Sequence, residues 1–82
     1  MNLGVSGMAS VPPDELEVFA RNLRTLREEA GMTQEALALA SGLDMSNVSR
    51  YEAADREPGV RILYRLARAL RVAPGRLLDL DE

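Results

Sequence analysis

Apolar residues recur at three- and four-residue spacing from Leu16: Leu16, Phe19, Leu23, Leu26 and Ala30. That spacing puts them on one stripe of a helix. Asp14, Glu15 and Glu17 stand at its start, where a helix favours negative charge, and Gly31 stands at a natural C-terminal stop. Thr33 offers an N-cap hydroxyl to a run of strong helix formers from Gln34 to Ala40. Ser41-Gly42-Leu43 breaks that run. Asp44 then caps a third helix, reading from Met45 to about Ala53, and Pro58-Gly59 marks a loop. Val60, Leu63, Leu66, Ala67 and Leu70 form the buried face of a fourth helix, with Ile62 at its margin. Pro74, at a helix-start position, opens a last turn through Leu77 and Leu78. No strand-like alternation and no internal repeat appears. The expected fold class is all-α: a compact five-helix bundle over residues 14–82.

Residues 1–13 read differently. They carry no charged side chain and hold Gly4, Gly7, Pro12 and Pro13, the composition of a flexible N-terminal arm. The arm lacks both the basic start and the continuous apolar run of a secretory signal. No stretch approaches a membrane span. A cytoplasmic location is expected.

Composition narrows the chemistry. Aromatics are limited to Phe19, Tyr51 and Tyr64, so the core must come from Leu, Ala, Val, Ile and Met. A core this small supplies only marginal stability. The chain has no Cys and no His, which removes thiolate sites, cysteine nucleophiles and the commonest general base. All 10 cations are arginine, so lysine chemistry is absent too. Carboxylates exist, but none sits in a motif with a nucleophile or with metal-ligand spacing. An enzyme is not expected, nor a metal or cofactor.

The net charge of −3 argues mildly against nucleic acid as a partner, but it hides a gradient. Residues 14–49 carry a net −4, residues 50–71 a net +3 and residues 72–82 a net −2. A partner that reads charge meets the local field, not the mean.

Two short helices joined by a glycine-containing turn describe a helix-turn-helix. Gly42 permits the sharp turn because it tolerates positive φ. Leu37, Ala38, Leu43, Val48 and Tyr51 would face inward and lock the pair. Met45, Ser46, Asn47, Ser49 and Arg50 would then point outward from the third helix. All but Met45 are polar, and none is acidic.

The run MTQEALALASGLDMSNVSRYEAADREP resembles the phage repressor/Cro type of helix-turn-helix, the xenobiotic-response-element family. The likeness extends back to LRTLREEAG and forward through VRILYRLARALRVAPGRLLDL. It rests on Arg27, Thr33-Gln34, Leu37-Ala38, Gly42, Val48 with Tyr51-Glu52, Pro58, and Ala67 and Leu70 before Leu77-Leu78. The resemblance implies a lambda-repressor-like domain that binds double-stranded DNA through its third helix and regulates transcription. It puts Met45, Ser46, Ser49 and Arg50 at base edges, where Arg50 suits guanine O6 and N7 and Met45 a thymine methyl. It puts Thr33, Gln34 and Asn47 at phosphates, with Arg56 a further phosphate candidate by its loop position. Arg27 and Glu52 match a structural ion pair beneath the DNA surface.

One such module reads only a few base pairs, so a homodimer on an inverted-repeat operator is expected. Val72, Leu77, Leu78 and Leu80 are the candidate dimer patch. A small regulator, such as a repressor or restriction-modification controller, fits these features. The rival reading is an interaction module or antitoxin that uses Leu39, Met45 and the arm to hold a protein partner.

Several features depart from the family pattern. Ala54 replaces a glycine after the third helix and is followed by Asp55, so that helix is expected to close differently. Arg71 replaces another glycine after the fourth helix. Leu39 lies where the family is polar. Arg61, Arg65 and Arg68 form a stripe on the fourth helix whose default reading is a solvated face, and Arg21 and Arg24 are expected to pair with Glu17 and Glu28.

Overall fold

A computed structural model describes residues 14–79. These form four α-helices, α1 (Glu15–Glu29), α2 (Gln34–Ser41), α3 (Met45–Glu52) and α4 (Val60–Leu70), followed by a 3-10 helix at Pro74–Leu77. The expected fifth helix is therefore a single tighter turn. Pro74 opens it, and the Leu78 N–H closes it on the Gly75 carbonyl in the tighter i to i+3 pattern. The expected arm at residues 1–13, and Leu80, lie outside the described residues. Among the described residues no helix is long and apolar enough to cross a membrane.

The core gathers one face from every element. Phe19, Leu23 and Leu26 of α1 meet Leu37 and Ala38 of α2, Val48 and Tyr51 of α3, Leu66, Ala67 and Leu70 of α4, and Leu77 of the 3-10 turn. Phe19 and Tyr51 pack edge to face with ring centroids 6.1 Å apart. Three apolar expectations need correcting. Ala30 is exposed because it caps α1 beyond the last buried turn, and Val60 is 67% exposed because the first turn of α4 overhangs the core. Leu77 is fully buried, so it belongs to the core and not to a dimer patch. Half-buried Val72 also packs on the core, which leaves Leu78, 52% exposed, as the accessible member of that patch among the described residues.

Asn22 ties the two ends of the domain together, and no sequence signal singled it out. Its Nδ2 donates to the carbonyls of Leu77 at 3.2 Å and Asp79 at 2.9 Å. At the helix starts, Asp14 and Thr33 accept from the backbone N–H groups of Glu17 and Ala36, at 2.9 and 3.0 Å. Asp44 occupies the N-cap position of α3 by backbone geometry alone. Its side chain makes no capping hydrogen bond, contrary to the expected cap.

All four α-helices end in the same way. A left-handed residue follows each one: Gly31 at φ 72°, Gly42 at 73°, Ala54 at 58° and Arg71 at 60°. Each end carries a pair of reversed hydrogen bonds. The longer bonds are Met32 N to Arg27 O at 3.1 Å, Leu43 N to Ala38 O at 2.9 Å, Asp55 N to Arg50 O at 2.9 Å and Val72 N to Ala67 O at 3.0 Å. This is the Schellman arrangement, completed at three ends by an apolar residue packed on the core: Met32, Leu43 and Val72. The expectation that α3 closes differently without glycine is therefore overturned. Ala54 and Arg71 adopt the conformation glycine would have taken, at a cost of about 1 kcal/mol each.

Ala54→Gly and Arg71→Gly should each stabilise the domain by about 1 kcal/mol, raising Tm by roughly 4–8 °C. Thermal melts followed by circular dichroism measure this. Gly31→Ala should lower Tm by a similar amount, since a Cβ there meets nothing within 4 Å and the backbone conformation alone resists it.

Candidate nucleic-acid interface

The interface is built outward from a buried polar network. Arg27 of α1 donates from Nε to Glu52 Oε2 at 2.6 Å and from Nη2 to Glu52 Oε1 at 3.0 Å. Its Nη1 donates to the Met32 carbonyl in the α1–α2 loop at 2.8 Å. Gln34, the first residue of α2, donates from Nε2 to Glu52 Oε1 at 3.1 Å. The Glu52 side chain is 5% exposed and that of Arg27 12%. One carboxylate at the end of α3 is thus held by donors from α1 and α2. The hydrogen bond to Glu52 raises the Arg27 pKa above its ordinary value, against the opposing effect of burial and with further help from the charges of Glu52 and Glu28. A raised cation pKa contributes stability that is fully present below the unfolded value and lost only as pH climbs through the folded one. The contribution of Arg27 is therefore constant through the neutral range.

This network fixes the direction of α3, and the core fixes its rotation. Val48 and Tyr51 are buried, while Met45, Ser46, Ser49 and Arg50 are exposed and Asn47 is half-buried. The outward row expected from the sequence faces solvent except at Asn47, which is half-buried. It contains no carboxylate. Gly42 makes the α2–α3 turn with a left-handed backbone, and a Cβ there would meet Arg65 Nη2 at 3.3 Å. Ser41, a buried hydroxyl not anticipated as functional, satisfies itself on the Leu37 carbonyl at 2.6 Å. It closes the turn without needing a partner from elsewhere.

The expected phosphate ligands fall into two groups. Thr33 and Gln34 lie together at the start of α2, with Thr33 already capping the helix and Gln34 already bonded to Glu52. The Gln34 amide carries two hydrogens, so one remains to donate outward. Asn47 and Arg56 meet on the other side of α3, where Arg56 Nη1 donates to Asn47 Oδ1 at 3.2 Å. The helix-loop pair is thus assembled before any ligand arrives. Arg24 pairs with Glu28 at 3.2 Å as expected, but Arg21 has no ion-pair partner among the described residues, so its expected pairing with Glu17 does not form. No cluster of three metal-ligating side chains occurs among the described residues.

Two helices locked across a left-handed glycine turn, with a polar and acid-free row on the second, define a helix-turn-helix domain. A helix-turn-helix family model, HTH_3, matches residues 23–77. The uncharacterized HTH-type transcriptional regulator y4dJ of Sinorhizobium fredii (strain NBRC 101917 / NGR234) is 38% identical over 60 residues, covering 73% of this chain and 78% of that protein. The restriction-modification controller protein C.AhdI from Aeromonas hydrophila superposes with a TM-score of 0.74 at 40% identity, covering 76% of this chain and 94% of that one. A hypothetical transcription factor, NHTF, from Neisseria superposes with a TM-score of 0.78 at 35% identity, covering 84% and 82%. The chain belongs to the phage repressor/Cro-type helix-turn-helix family of transcriptional regulators.

Glu52→Ala removes the close carboxylate from the mostly buried Arg27 guanidinium, leaving it the Met32 carbonyl and the exposed Glu28 at 4.0 Å, and should cost about 3 kcal/mol of unfolding free energy by urea titration. Replacing both partners with apolar residues, Arg27→Met with Glu52→Leu, should recover much of that loss. Arg24→Ala, at an exposed pair, should cost no more than about 0.5 kcal/mol.

Proposed function

We propose that the protein binds double-stranded DNA sequence-specifically by seating α3 in the major groove, and that it regulates transcription as a homodimer on an inverted repeat. One observation carries this reading. The exposed row Met45, Ser46, Ser49 and Arg50 is free of carboxylates and sits on a helix whose orientation is fixed by buried groups. A rigid, pre-positioned row of donors is what base reading requires.

Arg50 is the principal base contact, donating two hydrogen bonds to guanine O6 and N7. Ser46 and Ser49 are short enough for α3 to approach the base edges closely. Met45, 51% exposed, packs on a thymine methyl. Thr33 and Gln34 hold one phosphate strand at the start of α2, and Asn47 with Arg56 holds the other. Leu78 anchors the dimer and lines a cleft of about 430 Å³ together with Leu16, Phe19, Pro58 and Leu63 and with the acidic Asp14, Glu15 and Glu57. The likeness to the C.AhdI controller supports the reading of a regulator of the restriction-modification controller type.

Selection of duplexes from a random pool should enrich an inverted repeat with half-sites about one helical turn apart. Absence of enrichment by the folded protein would sink the reading. On the selected site, Arg50→Ala should cost about 1–3 kcal/mol of binding free energy and relax specificity at one base pair. Arg56→Ala should instead weaken all sequences evenly and reduce the salt slope by about 1. Titration at several salt concentrations separates the two effects.

A further inference from the structure

We propose that the exposed face of α4 is a docking surface for an acidic amphipathic helix of a partner protein. This goes beyond DNA binding and does not rest on it. Arg61, Arg65 and Arg68 stand at i, i+4 and i+7 of α4, and all three are exposed. The helix itself, VRILYRLARAL, contains no carboxylate. Among the described residues no carboxylate lies within ion-pair distance of these guanidiniums. Like charges at this spacing repel one another. A merely solvated face relieves such repulsion with interspersed acids, as α1 does with Arg24 and Glu28 at 3.2 Å.

Two apolar groups identify the kind of partner. Tyr64, 53% exposed, lines a groove of about 340 Å³ together with the three arginines. The Arg65 guanidinium lies over Gly42 at the helix-turn-helix turn. Leu39, near the C-terminal end of α2 and three residues before Gly42, is 84% exposed. The surface therefore runs from Tyr64 through the arginines to Leu39. A tyrosine hydroxyl can donate to a phosphate, but a leucine side chain offers a phosphate nothing, whereas an apolar stripe on a protein helix buries both the leucine and the tyrosine ring.

The charges match such a helix in spacing. Successive arginines rise along the α4 axis by about 6 and 4.5 Å. Glutamates at the same intervals on a partner helix meet them in register, and each guanidinium can grip a carboxylate through two hydrogen bonds. α4 packs chiefly on α2 and the 3-10 turn, so its outer face is open while α3 is engaged.

The test uses the full chain and two labelled synthetic helical peptides in fluorescence anisotropy. One peptide carries Glu at i, i+4 and i+7 beside a leucine stripe; the other has each Glu replaced by Lys. The acidic peptide should bind in a salt-sensitive manner and the basic one should not. The combined variant Arg61→Gln, Arg65→Gln and Arg68→Gln should weaken binding by about tenfold or more, the effect of three exposed ion pairs. Leu39→Ser, at an exposed position, should weaken it independently and should not change affinity for a random-sequence duplex. Equal binding of both peptides, or no response to either variant, overturns the proposal. So does a loss of duplex affinity with a shallower salt slope in the triple variant, which would make the stripe a phosphate-tracking face.

Discussion

The Glu52 carboxylate is the constraint on which the rest of the architecture depends. It is nearly inaccessible to water, so it must be matched by donors or it would unfold the end of α3. Arg27 supplies two of those donors and Gln34 a third, while the remaining Arg27 nitrogen holds the Met32 carbonyl. Three helices and one loop therefore share a single point. The apolar core holds the same helices together but is tolerant of small rotations; directional hydrogen bonds are not. The core supplies the stability, and the network supplies the angle at which α3 is presented.

That division explains how a chain of net charge −3 can present a surface for an anionic ligand. Four of its acids lie on α1, where Glu28 is matched by Arg24, and Glu52 is withdrawn into the network; exposed Asp44 and Asp55 flank α3 but stand outside its outward row. What α3 shows to solvent is uncharged or positive. Arg50 stands in its last turn, where the helix dipole favours a cation, and Arg56 is drawn in from the following loop by Asn47. The field at this face is set by which residues the fold exposes, not by the composition of the chain.

Much of this was legible in the sequence because periodicity and cap chemistry act locally. The spacing of Leu16, Phe19, Leu23 and Leu26, the hydroxyl of Thr33 and the glycine at 42 each determine structure within one or two turns. The outward row of α3 followed from the inward positions of Val48 and Tyr51. The Arg27–Glu52 pair was legible only through family resemblance, since nothing local links residues 25 positions apart. Asn22 was invisible for the same reason: its two acceptors are backbone carbonyls at the far end of the domain. Leu77 and Val60 were misplaced because a helix-start position says nothing about where a turn lands on the core. The side-chain cap expected of Asp44 failed because backbone geometry satisfied the position without it.

The closure of α3 at Ala54 shows how strain and site are joined. An alanine at φ 58° is disfavoured on its own, and unlike the other three helix ends this one has no apolar residue behind it, only Asp55. Something else must over-determine the turn. Two residues earlier, Glu52 is fixed by its three donors, so the last turn of α3 cannot unwind to relieve the alanine. One residue later, the Asp55 N–H closes on the Arg50 carbonyl at 2.9 Å, reversing the chain so that Arg56 comes back against Asn47. A right-handed Ala54 would carry the chain onward and separate Arg56 from α3. The strained residue therefore lies between the buried pair that orients the helix and the exposed pair at its edge, and it transmits the geometry of one to the other.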